Sequence, residues 1–368
     1  MTVAALNRLL SVLILPALNI LTAFAVATLV FLLIGVDPLE AAAVLVNGAF
    51  GYQEGIGYTL YYTTNFIFTG LAVAVAFHAG LFNIGGEGQA YIGGLGAGMV
   101  CLAWGSHLPG LLLIPLAIGA AAIFGAAWAA IPAYLQAYRG SHIVITTIMF
   151  NFLAASLMVY LLVNVFAERG QMNPASAAFA ESTHLPMWHE LMAMFGIGFA
   201  KSPLNISLLL ALACCVAVWV FLWKTRWGYE LRTVGANPDA AVYAGINPRH
   251  MVMLAMLIAG ALAGFVAVNE LLGVQHRLVR GFSAGYGFVG IAVALMGRNH
   301  PVGVILAALL FGALYQGGAE LAFEMPTVTR DMVVVIQGLI ILFAGALEFM
   351  YRKPLQRWLL RFAKGGAA

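Results

Sequence analysis

The sequence predicts an all-α polytopic membrane protein of about ten transmembrane helices, built as two inverted five-span halves with broken helices. Three observations lead there. Of 368 residues, 63% are hydrophobic and only 8% charged, with a mean hydropathy of +0.96, whereas soluble domains run at roughly half apolar and a quarter charged. Apolar runs of spanning length recur ten times, each broken by charge, proline or clustered glycine. Two of them, the third and the eighth, are short, glycine-rich and preceded by polar motifs.

In chain order the runs lie near 11–35, 61–79, 89–106, 110–136, 141–165, 205–224, 250–274, 284–297, 301–317 and 331–350. The first is too long for a signal-peptide core and lacks a small-residue cleavage site, so an uncleaved span is expected. With the N-terminus cytoplasmic, parity puts Arg8, Arg139, Lys224, Arg226, Arg232, Arg249, Arg298, Arg352, Lys353, Arg357, Arg361 and Lys364 inside. Only Arg169, Lys201, Arg277, Arg280 and Arg330 of the 17 basic residues fall outside. Both termini are therefore expected in the cytoplasm, and the net charge of +3 is a topology signal with no nucleic-acid stripe behind it. An external loop, 166–204, and a cytoplasmic loop, 225–249, interrupt what is otherwise one transmembrane domain over 1–368.

The polar motifs are "LFNIGGEGQAYIGGLGAG", 81–98, and "RGFSAGYGFVGIAVALMG", 280–297. With five spans per half, they occupy corresponding positions, and an odd number of spans inverts one half relative to the other. Broken helices at matching positions bring helix ends and unwound backbone to a midplane site, because irregular backbone is tolerated there only where it lines a buried or watery cavity. Asn83, Gln89 and Ser283 are thus expected to approach a common cavity. The plainer alternative is a cytoplasmic turn with glycines serving close helix packing, at Gly94–Gly98 and Gly260–Gly264. Glu87 opens a span, where unpaired N–H groups and the helix dipole favour a carboxylate, and a structural role follows.

Other signals carry less. "GFSAG", 281–285, has nucleophile-elbow spacing, but His276 and His78 lack an orienting carboxylate. "GGLGAG", 93–98, lies within a span with no preceding strand. The eight histidines show no metal-binding spacing, and Cys101, Cys214 and Cys215 sit in apolar runs as packing residues. Glu270, Glu348 and Glu87 lie near span ends, so no midplane proton relay is legible, and no phosphate-binding loop is present. An ion-coupled secondary carrier and an intramembrane hydrolase acting through Ser283 remain the competing classes.

The cytoplasmic loop reads as a docking element. Asn237 stands at an N-cap, Pro238 at the first helical position, Asp239 in the first turn and Gly245 where the helix stops. Ala240, Ala241 and Ala244 are expected on its surface, small enough to enter another protein's groove, with Arg232 and Arg249 flanking.

From Glu230 to Asn247 this loop resembles the coupling loop of ATP-binding-cassette importer permeases, in the pattern E-L-R-x-V-G-x-N-P-x-A-A-x-Y-A-G-I-N, which includes Glu230, Arg232, Gly235, Asn237, Pro238, Ala240, Ala241 and Gly245. "AGLFNIGGEGQ", 79–89, and "GFVGIAVALMGRNHPVGVILAALLFG", 287–312, resemble the class serving branched-chain amino acids, ribose-type sugars and nucleosides, nearest the nucleoside importers. The likeness is colinear from about residue 48 to 317. Arg298 and the arginine-rich stretch 273–287 depart from the pattern. The resemblance implies a permease of the bacterial cytoplasmic membrane that binds no cofactor itself. A partner ATPase uses ATP and magnesium, a second and different permease completes the pore, and an extracytoplasmic binding protein delivers a nucleoside or sugar. In that setting Phe82, Phe282, Tyr286 and Phe288 offer aromatic faces, and Asn65, Asn83, Gln89, Asn151 and Ser283 offer hydrogen bonds to the solute.

Overall fold

The computed structural model describes residues 15–167, 174–329, 332–339 and 342. Among these the chain is helical, and its only extended pairings are two isolated bridges, Ala175 with Val279 and Met187 with Asn205. The helices are α1 Leu15–Ile34, α2 Pro38–Phe50, α3 Gln53–His78, α4 Gly86–Trp104, α5 Gly110–Arg139, α6 Ile143–Asn164, α7 Trp188–Met194, α8 Ser207–Lys224, α9 Arg226–Ala236, α10 Pro238–Tyr243, α11 Pro248–Gly264, α12 Tyr286–Met296 and α13 Pro301–Glu324. A π-helical segment, Val268–Gln275, continues α11.

Six helices among the described residues are long and apolar enough to cross a bilayer: α3, α5, α6, α8, α11 with its π-helical extension, and α13. A seventh crossing results if Ala25–Ile34 and Pro38–Phe50, bent by 114°, count as one. The sequence expectation of ten differs for physical reasons. Helix α4 opens on Glu87 and Gln89, which lowers its hydropathy, and α12 has only 11 residues against the roughly 20 a span requires. The tenth run lies mostly outside the described residues, as do Arg8, Arg169, Arg330, Glu348 and the basic residues from Arg352 onward. Helix α2 was not expected. Its start is nonetheless local: Asp37 accepts from Leu39 N–H and Pro38 occupies the first turn.

The described residues up to Gly55, with those from Ala313 on, form one compact unit, and Ile56–Gly312 form another. In the first, Gly48 lies against the Glu320 side chain and Tyr52 donates to Glu320 Oε2 at 3.1 Å. In the second, α4, α5 and α11 pack at backbone distance. A Cβ on Gly93 would stand 2.5 Å from Gly264 Cα, and Gly125 and Gly260 face each other's carbonyls. Such contact needs small residues, because helices in lipid associate through van der Waals fit and not through the hydrophobic effect. Gly94 and Gly98 receive Phe282 and Leu278, and Ile92, Leu95, Leu271 and Phe282 belong to the same buried cluster. The three cysteines are buried and free.

Much of the loop expected at 166–204 is folded onto the C-terminal end of the π-helical segment. Ser176 N–H donates to Leu278 O, Phe179 N–H to His276 O and Leu185 N–H to Leu272 O.

Candidate functional site

The two polar motifs meet. Glu87, in the first turn of α4, is buried, and its carboxylate accepts three hydrogen bonds from the other motif. Ser283 Oγ donates to Oε1 at 2.6 Å, Gly285 N–H to Oε1 at 3.0 Å and Gly287 N–H to Oε2 at 2.9 Å. Gly285 and Gly287 supply amides from the start of α12, so one helix's acidic residue caps the other helix. Gly285 holds φ +80°, a conformation glycine adopts without a Cβ clash. A Cβ on Gly287 would stand 2.6 Å from Glu87 Cα, so glycine there permits the contact. The sequence reading placed Glu87 in service of its own turn. Its position in the first turn holds, but its hydrogen bonds cross to the partner motif.

Asn83 and Gln89 serve that turn instead. Their carboxamides bond reciprocally at 3.1 and 3.2 Å, and Asn83 Oδ1 accepts Gly85 N–H at 2.9 Å. Asn151, on α6, accepts Gly88 N–H and donates to Ile84 O, both at 2.9 Å, fastening the elbow from the side. Asn83 and Gln89 therefore bond within their own turn, and Ser283 bonds to Glu87 beside it. Ser283 spends its hydroxyl on a carboxylate, whereas a nucleophile would spend it on a histidine base. Phe82 packs on Phe77, Phe282 on Tyr91, and Tyr286 edge-on against Phe66.

A second buried network lies between α3 and the π-helical segment. Tyr61 Oη and Asn65 Nδ2 both donate to Glu270 Oε1, at 2.5 and 2.6 Å. Beside it, Asn269 Oδ1 accepts from Asn205 Nδ2 at 2.9 Å and Ser207 Oγ at 2.8 Å, while its Nδ2 donates to Tyr61 O at 3.2 Å. Asn65 is fully buried, and its Oδ1 has no partner among the described residues.

The docking loop is two helices. Asn237 ends α9 and caps α10, accepting Asp239 and Ala240 N–H at 3.0 Å each. Gly245 closes α10 at φ +76°, with Ile246 N–H returning to Ala241 O at 2.9 Å. Glu230 pairs with Arg226 at 2.7 Å on the surface, while Arg232 is half-buried. Ala240 and Ala244 are exposed as expected, but Ala241 is not: it is completely buried and faces the body of the protein. The exposed side carries Val242 and Tyr243 instead, the latter 94% exposed. Gly235 rests on the turn at His78–Gly80, where a Cβ would stand 2.9 Å from Gly80 N. That turn leads directly into the Asn83–Glu87 elbow.

Residues 55–345 match the family described as the permease component of the branched-chain amino acid transport system. The chain belongs to this permease family. The permease is 37% identical over 349 residues to a glucose ABC transporter permease protein of Haloferax volcanii, covering 92% of this chain and 88% of that one. It is 36% identical to a guanosine ABC transporter permease protein of Bacillus subtilis, over 94% of this chain and 97% of the relative. A nucleoside ABC transporter permease protein of Lactococcus lactis is 33% identical over 89% of each chain. No solved structure matches.

The permease is thus a multi-pass membrane transport subunit. Of its buried polar groups, sequence reasoning singled out Asn65 but not Tyr61, Asn205, Asn269 or Glu270 as its companions. One signal for them existed, since a carboxylate within an apolar run is a functional candidate by default. Its position only a few residues from the end of the run makes Glu270 resemble an ordinary span-end carboxylate.

Proposed function

We propose that this permease is the membrane subunit of an ATP-driven importer of nucleosides, moving its solute by alternating access. The observation that carries the reading is the Glu87 junction. One buried carboxylate joins both glycine-rich motifs, and the exposed docking loop rests through Gly235 on the turn leading into it. Motion imposed on that loop reaches both motifs through contacting backbone. Arg232, Gly235, Asn237, Pro238 and Gly245 shape the loop, Ala241 anchors it, and Ala240 with Tyr243 meets the ATPase.

The remaining parts follow from this reading. A cytoplasmic ATPase hydrolyses ATP with magnesium, and an extracytoplasmic binding protein supplies the solute. A second, non-identical permease completes the path, in keeping with the two guanosine permease proteins of Bacillus subtilis, 36% and 29% identical to this chain. The chain forms one transmembrane domain of ten spans in two inverted halves, with both termini in the cytoplasm of a bacterium. The names of the Bacillus and Lactococcus relatives support nucleosides, and the glucose relative supports a sugar as the second reading.

Reconstitution of the four components in proteoliposomes tests the proposal. Labelled guanosine should accumulate with ATP and continue to do so in the presence of an uncoupler. Uptake that survives ATP depletion and collapses with the uncoupler would replace this reading with a secondary carrier. Tyr243→Ala should weaken capture of the ATPase about tenfold without changing the permease's own stability. Unchanged capture and uptake would remove α10 from the ATPase interface.

A further inference from the structure

We infer that Asn65 and Glu270 form a binding site for the vicinal diol of the transported solute, closed in the state described here. The inference rests on the nucleoside reading for its choice of solute and on the following geometry for its site.

Tyr61 and Asn65, one helical turn apart on α3, both donate to a single carboxylate oxygen, Glu270 Oε1. Oε2 is left for another donor. Asn65 Oδ1 is buried with no partner among the described residues, and an orphaned buried acceptor is costly unless something fills it. The arrangement therefore offers two acceptors, Asn65 Oδ1 and Glu270 Oε2, beside one remaining N–H of the Asn65 carboxamide. Two neighbouring hydroxyls, each able to donate one proton, match it.

The surroundings fit a sugar ring. Tyr62 is half-buried, its ring centroid 5.2 Å from that of Tyr61 and 6.5 Å from that of Tyr286, so aromatic faces stand beside the acceptors where the apolar side of a furanose or pyranose can rest. Glu270 lies in the π-helical segment, whose widened turn is a local irregularity frequent at functional sites. Asn269 is tied to the Tyr61 carbonyl and to Asn205, so Glu270 is held on a fixed backbone while its carboxylate faces α3. Entry of the solute requires α3 and the π-helical segment to part at this point, as alternating access provides.

The test uses the complete importer in proteoliposomes and reads a ratio, which does not depend on how much protein assembles. Guanosine is compared with 2′-deoxyguanosine, which lacks the diol, and glucose with 3-deoxyglucose. The unaltered complex should prefer guanosine over its deoxy analogue about tenfold, the loss expected for one to two hydrogen bonds. Asn65→Ala and Glu270→Gln should each bring that ratio toward one. The binding protein is the same throughout, so a changed ratio belongs to the permease. Glu270→Gln keeps an acceptor for Tyr61 and Asn65 and gives the same reading if Asn65→Ala fails to assemble.

Guanosine uptake with the ratio unchanged in the variants, or with no preference in the unaltered complex, overturns the diol site and leaves the nucleoside reading standing. Glucose carried in place of guanosine, with its own ratio collapsing in the variants, supports the site and overturns the nucleoside reading. Uptake of neither overturns both.

Discussion

Glu87 and Glu270 are both carboxylates buried in the same compact unit of a membrane protein, and they are treated differently. Glu87 spreads three donors over both oxygens, two of them helix-start amides that would otherwise be orphaned. Glu270 takes two donors on one oxygen, beside an amide oxygen with no partner. Desolvating a carboxylate is costly, and the cost is offset only where its lone pairs are filled. A junction filled by its own chain holds structure together. One left short by its own chain is poised for something that comes and goes. The difference teaches that burial alone does not set a carboxylate's role, and that how fully its lone pairs are filled separates the two.

The largest expected effect tests the structural half of this contrast. Glu87→Ala orphans the Ser283 hydroxyl and two amides, each at about 1–3 kcal/mol, and should abolish assembly of the importer as judged by size-exclusion chromatography. Glu87→Gln keeps the shape but turns an amide donor toward one of the N–H groups. It should lower the unfolding temperature in detergent while leaving the pH profile of residual uptake unaltered. A Glu87→Ala protein that assembles and transports normally breaks the comparison.

The functional half predicts the converse pattern. Glu270→Gln retains an acceptor for Tyr61 and Asn65, so its stability should change by no more than about 1 kcal/mol, yet uptake should fall by tenfold or more. Equal loss of stability at Glu87→Gln and Glu270→Gln would erase the distinction between the two sites. Ser283→Ala sharpens it from the other side. Removing one of three donors to Glu87 should cost about 1–2 kcal/mol while transport continues, whereas an intramembrane hydrolase would lose all turnover.

The smallest effect concerns a third polar group left short, at the C-terminal end of the π-helical segment. His276 stacks on His184 with ring centroids 3.6 Å apart, and its Nδ1 has no partner among the described residues. Burial, and secondarily the charge of His184, push the His276 pKa below the ordinary value of 6.5. The attached loop therefore favours the neutral ring, and a detached loop gains a proton first as pH falls through 6.5. Attachment is complete above that value and weakens below it. Hydrogen exchange at Ser176, Phe179 and Leu185 should speed up between pH 7.5 and 5.5 beyond the intrinsic change, and His276→Asn should remove the dependence. Identical protection at both pH values would show that the stacked pair does not hold the loop.

What could be read from the residues alone was local or compositional. Hydropathy made the chain a multi-pass helical protein, and the Asn237–Pro238 cap with its Gly245 stop follows from short-range backbone chemistry that needs no distant partner. The small-residue spacing Gly260–Gly264 likewise announced close helix packing before its partners Ala121 and Gly93 were known. Tertiary structure decided everything that depends on which residues face each other across long sequence separations. Glu87 could be placed in a first turn from its neighbours, but its donors lie 196 to 200 residues away. Ala241 looked like its exposed neighbour Ala240, and only packing against the body turned one inward. Tyr61, Asn65 and Glu270 became one network because α3 and the π-helical segment brought them together. A sequence states what a side chain can donate or accept, and only the fold determines whether the offer is met.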